Sequence, residues 1–203
     1  MPIYSLFPDP VYFSTLERAL TKEELKTINK YKKKTYSNEG NITSTNNDVL
    51  NNKTLKNLKK DLYTKVMDYF DKIVCTTNPI VPYITQSWLN YTETDQFHHR
   101  HSHSNSLISG IFYISADKNV DSVTFYKNDL DSRIKLDITK HNPFNSTDWK
   151  FPVETRNIVL FRSSLVHGVD KKKGKNMRIS LSFNVFVKGR LGSKPGLTEL
   201  VLE

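Results

Sequence analysis

Apolar and polar positions divide the chain into a helical first third and a strand-rich remainder. Residues 3 to 16 mix aromatics with prolines, including Tyr4, Phe7, Pro10 and Tyr12, and suit an extended N-terminal strand. Thr21 followed by Glu23 and Glu24 predicts a helix start, with threonine as N-cap and acids where the helix dipole favours them. That helix should run to about Lys33. Residues 35 to 52 are rich in Ser, Thr and Asn and poor in apolar positions, which predicts an exposed loop. From Thr54 to Val74, the positions Leu55, Leu58, Leu62, Val66, Phe70 and Ile73 recur at spacings of three and four. That is an amphipathic helix with one face to bury.

After Pro79 and Pro82 the period changes to two. Strands are predicted over 84–91, the histidine stretch that follows, 109–114, 123–126, 133–138 and 157–161. The last strand, Met177 to Val187, alternates most clearly. Ile179, Leu181, Phe183 and Val185 fall on one face, and Arg178, Ser180, Ser182 and Asn184 on the other. One face should pack on a layer of helices while the other lines something polar. Gln86, Trp88 and Asn90 likewise share a face, and should line the barrel or its core. Helices followed by about eight strands predict an α+β fold: a jelly-roll barrel with the N-terminal helices packed on one sheet. No repeat or linker divides residues 1–203, so a single domain is expected.

Composition narrows the setting. No apolar run approaches the ~20 residues of a membrane span, and the N-terminus lacks the features of a signal peptide. Cys75 is the only cysteine, which excludes an intrachain disulfide and fits a reducing, cytoplasmic compartment. The formal net charge of +9 comes largely from lysine patches at 31–34, 53–60 and 171–175. These read as solvated faces. Attraction to an anionic substrate or to nucleic acid stays open, but no interleaved basic and aromatic platform supports it. The run Lys171 to Lys175 is expected at a hairpin tip near the mouth of any site built from its flanks.

The candidate chemistry lies in Gln96 to Ile114, which holds four of the six histidines, at 98, 99, 101 and 103. His101 and His103, two apart on extended chain, project to one face and could chelate one metal. His141 and His167 are the distant candidates for a third ligand; His141 lies in a polar turn. His98 and His99 read as solvent-facing or supporting residues.

The run His101-Ser-His103-Ser-Asn105-Ser-Leu-Ile-Ser109-Gly110-Ile-Phe-Tyr113 resembles the prolyl-hydroxylase-like 2-oxoglutarate/Fe(II) oxygenases. Within them it is most similar to a bacterial and phage subgroup with a His-x-His-Pro-Asn-Ser signature, departing at Ser104. Val159 to His167 and Arg178 to Asn184 match the same subgroup. The resemblance implies a double-stranded β-helix and a hydroxylase using Fe(II) and 2-oxoglutarate as cosubstrate. His101 and His167 match the family's metal histidines, and His103 stands where most of the superfamily has a carboxylate. Arg178 matches the residue that pairs with the far carboxylate of 2-oxoglutarate, with Ser180 beside it. Tyr91 and Tyr113 match tyrosines lining the cosubstrate pocket. Nothing in the sequence separates a small molecule from a protein side chain as substrate. Two other readings remain at this point: a cupin-like three-His metalloprotein that does not use 2-oxoglutarate, and a basic, metal-stabilised binding protein.

Overall fold

The structure, a computed structural model, describes residues 2–127 and 136–203. Half of the strand expected at 133–138 lies outside the described residues, and residues 136–138 are not in a strand. Thr21 caps the first helix, α1 (Lys22–Tyr31), through a reciprocal box with Glu24, as the sequence predicts. The long apolar-striped segment is one turn of 3₁₀ helix (Lys53–Leu55), then α2 (Lys56–Tyr69), then a π turn over Phe70–Val74.

Twelve strands run through the described residues: β1 (Val11–Thr15), β2 (Thr35–Ser37), β3 (Ile42–Ser44), β4 (Ile80–Thr92), β5 (His98–His101), β6 (Ile108–Ser115), β7 (Ser122–Tyr126), β8 (Asp148–Pro152), β9 (Asn157–Arg162), β10 (Val166–Val169), β11 (Arg178–Leu191) and β12 (Leu200–Leu202). They form two antiparallel sheets. The larger has the order β1-β9-β6-β11-β4-β3-β2, with β12 also on β11; the smaller has the order β5-β10-β7-β8. The eight strands β4 to β11 are shared four and four between the sheets, which is a jelly roll. No helix among the described residues is long and apolar enough to cross a membrane.

The helices cover the outer face of the large sheet. Ile28 of α1 and Leu58, Leu62 and Val66 of α2 bury themselves against Leu89, Phe112, Leu181 and Phe183. A second cluster, with Tyr113, Val123, Phe125, Val159 and Phe161, fills the space between the sheets. The alternation of β11 therefore reads as expected: odd positions meet the helices, and Arg178, Ser180, Ser182 and Asn184 face inward with Thr92, Asn90, Trp88 and Gln86 opposite them.

The expected loop at 35–52 is a correction. It supplies β2 and β3, and Val49 and Leu50 are buried. Two of its polar residues are buried because the sheet satisfies them: Thr43 Oγ1 donates to Asn90 Oδ1 at 3.0 Å, and Ser44 Oγ accepts from the Leu89 N–H at 3.0 Å. Polar composition signals exposure only where no such partner exists.

Gly110 shows how tightly the outer face is packed. A Cβ there would lie 2.1 Å from Cζ of Phe183, whose ring sits against the bare backbone. Gly110→Ala is expected to cost about 1–3 kcal/mol or more through overpacking, read as a lower urea midpoint at unchanged slope. Wild-type stability in that variant would show that the ring moves aside freely.

Candidate metal centre

The site forms where the small sheet's inner face meets β11. His101 ends β5 and His167 sits directly opposite it on β10. His103 follows two residues later, its N–H donating to the Ser163 carbonyl at 2.9 Å. Asn105 in the connecting turn has φ of 54°, a left-handed conformation that Asn tolerates better than most residues. Ser106, Ser109 and Ser163 are joined by hydroxyl bonds of 2.8 and 2.9 Å and brace this turn against β6. The Asn-Ser-x-x-Ser pattern is thus the mount that holds His103 in place.

One potential ligand atom from each of His101, His103 and His167 lies within 4.8 Å of the others. Each Nδ1 faces an oxygen: His99 O at 2.9 Å from His101, Asn184 Oδ1 at 2.6 Å from His103, and Leu165 O at 3.1 Å from His167. A carbonyl oxygen can only accept, so the proton belongs on Nδ1 and each Nε2 keeps its lone pair for a metal. Burial lowers the pKa of all three rings, and burial with the neighbouring imidazoles brings His167 to about 3. Neutral imidazoles are the form a metal binds. The donor set fits a divalent transition metal.

The low pKa also sets a stability trend for the metal-free protein. His98 and His167 are brought to about 3 in the fold against an ordinary 6.5. Between those values the unfolded chain binds more protons, so stability falls as pH drops from about 6.5 toward about 3. Each such histidine contributes at most about 1.4 kcal/mol per pH unit. Thermal melts of the apo protein should show this decline below neutrality, and a flat profile there would refute it.

Of the two places expected for His98, solvent-facing or supporting, the structure gives it the second. His167 pairs with His101 but Val169 pairs with His98, so three steps on β5 oppose two on β10. This bulge brings the His98 ring onto the His101 ring, with centroids 4.6 Å apart and nearly parallel planes, at the wall of the cavity. Periodicity alone would have sent it to the other face. His141 lies in an exposed segment and joins no metal-competent group among the described residues.

An enclosed space of about 30 Å³ separates the histidines from Arg178. Ser180, Tyr113, Asn90 and Trp88 line it as well. Arg178 is only 2% exposed. Its guanidinium donates to Thr92 Oγ1 at 3.0 Å and Ser122 O at 3.4 Å, while Nε has no partner. The neighbouring carboxylate, Asp121, is instead engaged by Lys172 at 3.7 Å and by Asn176. Lys172 is itself buried, donating to Gly174 O and Asn176 Oδ1, so the lysine run is not wholly a solvated tip.

Tyr113 lies in the pocket wall, fully buried, its phenol pushed up to about 12 by desolvation. Tyr91 does not line the pocket. It faces the helices with Leu89, and its hydroxyl donates to the Ile28 carbonyl at 3.3 Å. Strand parity carries this correction: Trp88 and Asn90 point inward, so Tyr91 must point outward.

Residues 86–184 match the family model described as "Putative 2OG-Fe(II) oxygenase". No curated protein matches the chain. Among solved structures it is similar to HygX from Streptomyces hygroscopicus, crystallised with nickel, 2-oxoglutarate and hygromycin B (12% identity, 85% of this chain and 82% of that one, TM-score 0.55). The epimerase SnoN, in complex with Fe3+, alpha ketoglutarate and nogalamycin RO, aligns at 10% identity over 95% and 86% with a TM-score of 0.60. A prolyl hydroxylase in complex with a hypoxia inducible factor peptide fragment, from Trichoplax adhaerens, aligns at 14% identity over 86% and 83% with a TM-score of 0.55. At these identities the structures establish the double-stranded β-helix fold, and the family match carries the chemistry. Residues 86–184, just under half of the chain, match that model, and the activity the match supports is that of a non-haem, Fe(II)- and 2-oxoglutarate-dependent dioxygenase.

Proposed function

We propose that His101, His103 and His167 hold Fe(II) through Nε2, and that Arg178 with Ser180 seats the far carboxylate of 2-oxoglutarate. The reading takes residues 1–203 as one domain and places it in the subgroup with the His-x-His signature. One observation carries it: a buried guanidinium without a carboxylate partner shares a cavity with three lone pairs suited to a metal. A lone buried cation is costly, and the far carboxylate of a bound dicarboxylate would offset that cost. A metalloprotein that did not use 2-oxoglutarate would have no need of it.

Bound iron and 2-oxoglutarate supply the oxidising power, turning O₂ and the cosubstrate into succinate, CO₂ and a hydroxyl on the substrate. The chain's residues do the rest. His101, His103 and His167 would hold the metal through Nε2. The Asn184 amide fixes the tautomer and angle of His103. Arg178 orients the cosubstrate, and the apolar walls at Val123 and Phe161 keep water out. The substrate is a small molecule or a protein side chain.

Anaerobic titration of the Fe(II)-loaded protein with 2-oxoglutarate tests the assignment. The visible charge-transfer band should grow and saturate at one equivalent. Stoichiometric metal without any band would overturn it.

A further inference from the structure

The site has two mouths of opposite chemistry. On the Arg178 side an open cleft of about 730 Å³ is lined by Lys118, Lys150, Lys171, Lys172 and Lys173, against Asp121 and Asp170. On the histidine side an open cleft of about 350 Å³ reaches the rings of His101 and His103. Not one Lys, Arg, Asp or Glu lines this second cleft. In a chain that is 25% charged, its thirteen lining residues would on average carry about three. Their absence is therefore a property of this surface and not of the composition.

The cleft holds instead the rings of Tyr36 and Trp88, the amides of Asn38, Asn47 and Gln86, and serine hydroxyls at 102 and 104. The Trp88 ring stands 5.7 Å from that of His103, so whatever lies on it lies against the metal centre. A single carboxylate, Glu39, stands at the rim, 3.7 Å from His99 Nδ1.

Side-chain amides offer both donors and acceptors, as vicinal hydroxyls require. Exposed aromatic faces cover the apolar C–H surface of such a ligand. A polyanion would find no cation here, and a cationic peptide almost no anion. A purely apolar ligand would strand the amides without partners.

We propose that the substrate is a neutral, polyhydroxylated molecule of carbohydrate type, bound in the histidine-side cleft across Trp88 and Gln86. The basic cleft is left to the anionic cosubstrate. This rests on the metal assignment above, because that assignment puts the cleft beside the reacting centre.

The test is a neutral-glycan array probed with the fluorescently labelled, Zn(II)-loaded protein and 2-oxoglutarate, with single-stranded DNA and heparin spotted alongside. Retention on neutral glycans is expected, changing less than about twofold between about 50 mM and about 500 mM salt, because no phosphate-type contacts are involved. Trp88→Ala and Gln86→Ala should each weaken it by roughly tenfold or more. Arg178→Gln should retain glycan binding while losing the cosubstrate, so failure of the oxygenase assignment would leave this result standing. No retention on any neutral glycan overturns the proposal. So does retention confined to DNA or heparin that falls steeply with salt and is lost in Lys118→Ala/Lys173→Ala, which would move the substrate to the basic cleft.

Discussion

Arg178→Met will abolish the 2-oxoglutarate charge-transfer band while leaving the metal-free fold at least as stable as wild type. Most buried arginines behave otherwise, because they answer a buried carboxylate and their loss strands it. Here the guanidinium is 2% exposed, its Nε is unpartnered, and its two bonds go to neutral oxygens at Thr92 and Ser122. Burial pulls its pKa below the ordinary value, yet arginine does not surrender its proton. The apo protein therefore carries a buried charge that no ion pair answers directly and that Asp121 eases only at longer range, and methionine removes it. With cosubstrate the sign reverses. Truncating one partner of a buried, hydrogen-bonded charge pair costs about 2–5 kcal/mol, so affinity should fall by about 30-fold to several thousand-fold. In melts, 2-oxoglutarate should raise the Tm of metal-loaded wild type and leave that of the variant unmoved. A variant that keeps the band at wild-type affinity would show that the carboxylate binds elsewhere.

The same residue shows what the sequence made legible. Arg178, Ser180, Ser182 and Asn184 could be assigned to one face because β11 alternates without interruption over that stretch, and the paired positions Trp88 and Asn90 followed by the same parity. His101 and His103 were legible for the same reason. Tyr91 departs from the place the resemblance implies, because strand parity turns it toward the helices. His98 was hidden by a bulge, which depends on pairing with β10 and leaves no period in the sequence. Asn184 lay on the expected face, but its bond to His103 spans 81 residues, and no local pattern announces a contact of that range. The segment at 35–52 failed on composition, because Thr43 and Ser44 are polar and buried at once. Local periodicity carried the faces; contacts between distant strands carried the exceptions.

Those long-range contacts matter most at the metal. Three neutral imidazoles would donate without cancelling charge, so a site built of them should attract a divalent ion less strongly than one containing a carboxylate and depend more on geometry. His103 is the exposed member of the set in this sense: it lies beyond the end of β5, held by the Ser163 carbonyl on its N–H and by Asn184 on its ring. His103→Ala should therefore lower Fe(II) affinity by at least about 100-fold and remove the charge-transfer band even at saturating metal, since two ligands fix neither the position nor the open face of the ion. Asn184→Leu leaves all three imidazoles but frees the ring; a loss of about 10–100-fold is expected. Asn184→Asp keeps an acceptor on Nδ1 and should recover most of that loss, which a merely structural role for Asn184 would not produce. Metal titrations under anaerobic conditions would read all three. If His103→Ala bound iron as wild type does, the ion would have to sit on other members of the cluster, with His98, His99 and His101 the alternative group of adjacent ligand atoms. The shared ring of His101 would then be the one fixed point of the site. The two arrangements differ in one respect: only in the first do all three rings line the cavity that holds Arg178, since His99 does not.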